Sequence, residues 1–346
     1  MDARVLCVAV PALALAACSL SDGDTPYASL AEEGDSGDST DSGQGSDTDT
    51  DAPVDTPPSE WTDPAYWADP GPLAGLILPE TADAGPHWEV RVATSPDGDT
   101  WTADERVIAQ GLSGLSMVTM ADRVVITGNV DVSQAEAHGI PLAHDAIYAI
   151  SSAEFTTWTS TAWTITAMSR QRVIDPAFAF DLDGSVRAVW FGTDELTAAA
   201  EDIGGVHEIF LASWDGAGFA EDLMAWTADT LSEPAVCRLD DQLWMFATNE
   251  YSTLLALNAG ADGQWELIED RLWEGAVSPS CVEQADSIGL VAGVDGAAKV
   301  RDLLADGTLG TVDQLAPAGL FGDPCTSPAL TEFAGGWVYA CAIWVE

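Results

Sequence analysis

The chain has 346 residues, with 57 Asp and Glu against 11 Lys and Arg, a formal net charge of −46. That balance excludes binding to nucleic-acid phosphates and to anionic membranes through basic patches, because both need a Lys/Arg surface. Hydrophobic residues still make up 47% of the chain, enough for a core, and the two facts fit if the acid is partly segregated from that core.

Residues 1–17 read as an export signal. Arg4 precedes an apolar run from Val5 to Ala17 that is too short to span a bilayer. The run ends in Leu15-Ala16-Ala17-Cys18, which resembles the lipobox of bacterial lipoproteins. The resemblance implies lipidation of Cys18 and a membrane anchor. Ser19, where an Asp would retain such a protein in the inner membrane, points to the outer membrane or cell surface. An ordinary signal peptide cleaved near Ala17 is the alternative. Residues 18–60 then form a disordered acidic tether. They contain no Lys or Arg, and Gly34–Asp51 holds no apolar residue, so nothing offsets the entropy of ordering them. Asp47, Asp49 and Asp51 alternate with Thr without the turn or distal Glu of a calcium loop. Twelve acids fall in this tether, which leaves −34 on residues 61–346.

From Trp88 onward the pattern changes to short Val-, Ile-, Trp-, Phe- and Thr-rich runs separated by tight polar pairs, a hairpin signature. Helical periodicity is nearly absent, and Ala198–Asp202 is its best segment. One mark, an apolar run, a polar pair and a second apolar run, occurs five times, with its turns at 121–122, 183–184, 240–241, 285–286 and 335–336. Pro176, Pro234, Pro279 and Pro328 precede four of these units, spaced 58, 45 and 49 residues apart, the period of a four-stranded propeller blade. A second mark, a polar turn before an aromatic or Leu, falls between them at 97–101, 154–158, 215–219, 262–265 and 306–309. It predicts the turn from a third to a fourth strand. Because the second mark comes first and the first mark comes last, the strands near Trp88–Ala93 and Thr100–Ile108 are expected to complete the blade begun at Ala329–Phe333 and Trp337–Ile343. Residues 61–346 are therefore predicted to be all-β: one five-bladed β-propeller whose last blade is closed by N-terminal strands. A β-sandwich is the alternative.

Ser95-Pro96-Asp97-Gly98-Asp99-Thr100-Trp101 resembles a turn of sialidase-like and five-bladed glycosidase-like propellers. Ile174-Asp175-Pro176 with Asp183-Gly184 is similar to the second-blade signature of the arabinanase, levansucrase and invertase superfamily, which includes family 43 glycoside hydrolases. Ser232-Glu233-Pro234 falls where that superfamily places its third-blade acid. The resemblance implies Asp175 as a tuning and positioning carboxylate and Glu233 as a general acid. The first-blade carboxylate is missing, because its position is Ser113 or Gly114. Glycoside cleavage normally needs two carboxyls, so Asp175 or Asp323 would have to serve as the second. The competing reading is structural: an acid before Pro at a strand entry accepts backbone hydrogen bonds.

His87, His138, His144 and His207 show no metal spacing, and neither a metal nor a cofactor is expected. Most of the 14 Trp are expected in packing, with Trp61, Trp67, Trp214 and Trp273 near loops and placed to stack on sugars. Cys237, Cys281, Cys325 and Cys341 predict two disulfides by any of three pairings, in keeping with export. The function expected is an envelope lipoprotein that binds a ligand, carbohydrate first, without catalysis. A glycoside hydrolase using Glu233, or a scaffold binding an envelope protein, are the alternatives.

Overall fold

The computed structural model describes residues 86–345, apart from positions 121, 132–134, 136–141, 197–205, 215–217, 230, 250–252, 260–263, 318 and 322–323. Cys18, the signal, the tether, Trp61, Trp67, His138, the 198–202 segment and Asp323 all lie outside the described residues.

The described chain begins with β1 (His87–Ser95) and two short strands, β2 (Thr102–Ala103) and β3 (Ala109–Gln110). Four antiparallel quartets follow. Blade 1 is β4 (Leu112–Met120), β5 (Arg123–Val130), β6 (Ala146–Ser152) and β7 (Thr159–Thr166). Blade 2 is β8 (Arg172–Phe180), β9 (Val186–Thr193), β10 (Val206–Trp214) and β11 (Phe219–Asp229). Blade 3 is β12 (Ser232–Leu239), β13 (Gln242–Thr248), β14 (Thr253–Ala259) and β15 (Trp265–Glu274). Blade 4 is β16 (Ala276–Glu283), β17 (Ser287–Val294), β18 (Ala297–Leu304) and the two-residue β19 (Asp313–Gln314). The last strands, β20 (Ser327–Phe333) and β21 (Gly336–Val345), pair with β1 to make blade 5 in the order β20-β21-β1-β2. All ten turn marks of the sequence fall between the strands they were expected to join.

The first strand of each blade lies innermost. These five strands touch one another in cyclic order, β4 to β8 to β12 to β16 to β20 and back to β4, which closes a ring around one axis. Closure across the termini is extensive: β1 pairs with β21 from His87 opposite Val345 to Ser95 opposite Trp337. The expected fourth strand over Thr100–Ile108 is interrupted. Asp104 turns back to hold the backbone N–H and guanidinium of Arg106, so only β2 and β3 reach β1 in strand geometry. One pairing was not expected. The outer strands β7 and β11 meet in parallel, with Phe219 opposite Ile165, and join blades 1 and 2 into one eight-stranded sheet.

The core is divided among the seams. Val338, Ala340, Leu115 and Ile126 pack between blades 5 and 1. Ile147, Trp163, Phe178 and Trp190 pack between blades 1 and 2, and Val189, Leu211, Met245 and Leu257 between blades 2 and 3. Phe246, Trp273, Leu290 and Leu303 fill the seam of blades 3 and 4, and Val291, Ala298, Tyr339 and Cys341 that of blades 4 and 5. A strand covered on both faces needs no polar alternation, which is why β6, β9 and β13 are apolar nearly throughout. The outer strand β15, by contrast, is mostly exposed.

Of the three possible disulfide pairings the structure has Cys237–Cys281 and Cys325–Cys341. The first ties the innermost strands of blades 3 and 4 across 44 residues of chain. Replacing Cys237 and Cys281 together by Ser is expected to lower unfolding stability by about 3–4 kcal/mol. Denaturant midpoints of the two proteins under non-reducing conditions measure it.

Candidate functional site

Four of the five innermost strands carry the same irregularity near their entry. Their pairing slips between Ser113 and Ser116, Ile174 and Ala177, Ser232 and Ala235, and Val277 and Ser280. Each slip holds one residue in the left-handed region: Gly114 (φ 56°), Asp175 (48°), Glu233 (53°) and Ser278 (52°). Strand β20 enters without a slip, with Ser327 opposite Ala342. The first-blade position left open between Ser113 and Gly114 is thus Gly114. A non-glycine residue there costs about 1–2 kcal/mol, so Asp175, Glu233 and Ser278 need compensation from their neighbours.

Hydrogen bonds between blades supply it. The Asp175 N–H donates to Asn129 Oδ1 at 2.6 Å, and the Asn129 amide donates in return to Asp175 Oδ1. Asp175 Oδ2 accepts the N–H of Glu233 at 3.0 Å. Glu233 Oε2 accepts the N–H of Ser278 at 2.9 Å and the Thr248 hydroxyl at 3.2 Å, while Oε1 accepts the Ser278 hydroxyl. Across the closing seam, Ser327 Oγ accepts the Leu115 N–H at 2.7 Å. Each acid therefore caps the strained amide of the next blade. Asp175 meets the backbone of Glu233 rather than its carboxyl group, and both oxygens of each acid are engaged.

The absent first-blade carboxylate has a steric cause. A Cβ on Gly114 would lie 2.5 Å from Asp175 Oδ1 and 3.3 Å from Asn129 Nδ2. The Asp175 carboxylate fills the space into which a first-blade side chain would project. Arg172, buried on the same strand as Asp175, donates to the Glu195 carbonyl at 3.2 Å. Burial pulls its pKa down, and the charge of Asp175 opposes that shift. Glu233 is only partly buried as a residue, yet its carboxylate is desolvated and its pKa lies above the ordinary 4.5; the Ser278 and Thr248 hydrogen bonds offset part of the rise.

Other expected positions serve packing. Trp273 is buried, with the Arg301 guanidinium 5.6 Å from its ring, and Trp214 packs edge-on against Phe219 at 5.2 Å. Trp273 is therefore not laid open for a sugar ring, whereas Trp214 is half-buried. His207 is buried, stacks on Phe191 and bonds to the Leu231 carbonyl, and His87 contacts the Gln110 amide at 3.0 Å. The Ser95–Trp101 motif is a self-contained turn: Asp97 Oδ1 accepts the N–H groups of Asp99 and Thr100, and Trp101 Nε1 donates to the Gly98 carbonyl. Asn129 and Thr248, which complete the ring, escaped sequence reasoning. Both sit late on second strands, where only the three-dimensional register brings them beside the slips.

No protein-family model matches the chain, and no curated protein matches it. Among solved structures it is similar to a family 43 arabinoxylan arabinofuranohydrolase from Bacillus subtilis, with 14% identity over 66% of this chain and 58% of that one, at a TM-score of 0.45. It is also similar to an exo-β-1,3-galactanase from Phanerochaete chrysosporium, with 11% identity over 74% and 64%, at 0.47. A third is a family 117 glycoside hydrolase from Zobellia galactanivorans, with 11% identity over 67% and 84%, at 0.49. The chain thus spans less than two thirds of the length of the first two.

Two outcomes are expected from this geometry. Gly114→Asp, which restores a first-blade acid, should destabilise the protein by more than about 2 kcal/mol through backbone strain and the collision with Asp175, read from denaturation curves. For Glu233, a folded-state pKa above the unfolded value means the fold favours the protonated form. Its contribution is full below pH 4.5 and is lost as pH rises through the folded value. The stability of wild type relative to Glu233→Gln should therefore fall as pH rises above 4.5.

Proposed function

We propose that the protein is a ligand-binding propeller of the bacterial envelope, anchored through lipid at Cys18, that holds a carbohydrate without hydrolysing it. The observation that carries the non-catalytic reading is the commitment of Asp175 and Glu233 to the backbone amides of neighbouring blades, with Gly114 where a third carboxylate would stand. A glycosidase needs one carboxyl free to protonate the leaving oxygen and another to attack or activate water. Here a carboxyl that moved toward substrate would abandon a strained amide. The sugar class rests on the motif resemblances at Ser95–Trp101, Asp175-Pro176 and Glu233-Pro234, and the solved structures named above are glycoside hydrolases. The envelope location rests on the lipobox-like Leu15–Cys18 and the acidic tether.

One observation favours the second reading, a glycoside hydrolase. Desolvation raises the pKa of Glu233, the direction a general acid requires. The partner in that reading is Asp175 or Asp323.

The two readings part in one experiment. The protein is incubated with a panel of aryl-α- and aryl-β-glycosides, and direct binding to oligosaccharides is measured in parallel. Binding without turnover is the expected result. Turnover lost at least about 100-fold in Glu233→Gln, with binding retained, would establish the hydrolase instead.

A further inference from the structure

The ring has a second opening that the Asp175–Glu233 end does not use. Beyond the slips, the later halves of all five innermost strands enclose an axial pocket of about 180 Å³. Its wall is largely apolar: Met117, Phe178, Phe180, Val236, Val282 and the Cys237–Cys281 disulfide. Neither Asp175 nor Glu233 lines it. A pocket this small is below the size that takes a drug-sized ligand, so its occupant is a short group.

Two features fix the chemistry of that group. First, each innermost strand is paired in its sheet along one edge only, so the other edge turns backbone groups toward the axis. Carbonyls among them accept hydrogen bonds: Thr119 Oγ1 donates to the Glu332 carbonyl at one side of the pocket. Second, the mouth is acidic. Glu283 and the exposed Glu332 line it, and the hairpin turns at this end of the innermost strands carry the exposed Asp240, Asp241 and Asp286. Two described basic groups at this end are held in pairs. Arg238 meets Glu283 at 3.3 Å, and Arg123 meets Asp122 at 3.3 Å. The apolar wall, the axis-facing carbonyls and the negative lip together suit a donor-rich cation on a short aliphatic stem.

We propose that this axial pocket binds an alkylammonium or alkylguanidinium group, free or as the Lys or Arg side chain of a partner. The stem lies against Met117, Val236 and Val282, and the head group stays at the mouth beside Glu332, as such amphipathic groups do elsewhere.

Titration calorimetry on the whole protein tests it, with n-butylguanidinium chloride, its uncharged counterpart n-pentanol, and the blocked tripeptide acetyl-Gly-Arg-Gly-amide. The guanidinium is expected to bind at least tenfold more tightly than pentanol and to weaken as NaCl is raised from 20 to 300 mM. Glu332→Gln, at an exposed position that leaves folding unaffected, should weaken it about fivefold. Ser116→Phe, which fills the pocket, should abolish binding, with circular dichroism confirming the fold. Tripeptide binding equal to that of the free cation points to a partner's side chain, and binding of the free cation alone to a small metabolite. Equal affinity for pentanol, no detectable binding of either cation, or binding that survives both substitutions would overturn the proposal.

Discussion

A propeller blade has two edges, and the inner one has no strand to pair with. Five such edges converge on the axis here, and their amides and carbonyls must be satisfied by something other than a sheet. The protein meets this demand with side chains sent from one blade to the next. Ser327 takes the amide of Leu115, Asp175 that of Glu233, Glu233 that of Ser278, and Glu283 that of Arg238 at 2.9 Å, while the Thr127 hydroxyl reaches the Pro176 carbonyl. The slips follow from the same demand. A left-handed residue turns its N–H out of its own sheet toward the neighbour able to receive it.

This arrangement also explains how an acidic protein tolerates carboxylates at its centre. The donors are backbone amides and hydroxyls, which bring no countercharge and lie at fixed positions. Desolvation is only partly compensated at Glu233, and its ionisation is displaced accordingly. The acids in surface turns face the opposite balance. Asp97, Asp183 and Asp306 each accept nearby amides in water and are held below the ordinary carboxylate range. Much of the negative charge is thus turn chemistry, and the few buried acids differ in what surrounds them.

The sequence disclosed the architecture because a propeller repeats its punctuation. Ten turn marks and their order were enough to place the strands and to show that the N-terminal strands close the last blade. Details that depend on contacts between blades were hidden. Gly114 could not be told from Ser113 until the slip located it, and the reason for a glycine is the Asp175 carboxylate of the adjacent blade. The parallel meeting of β7 and β11, the choice among disulfide pairings and the burial of Trp273 likewise depend on which blades are neighbours. The acids Asp175 and Glu233 stood out by their place before proline. Their partners Asn129 and Thr248 occupy ordinary-looking strand ends.

The closing seam has a mechanical side. Because β1 runs antiparallel to β21 with His87 opposite Val345, the N-terminal end of β1 lies at the end of the pair where the C-terminal strand also finishes. A pull on the chain from the N-terminal side of His87 loads the ladder at one end and opens it a rung at a time, rather than shearing all nine residue pairs together. Force applied at His87 therefore meets the closing ladder one pair at a time.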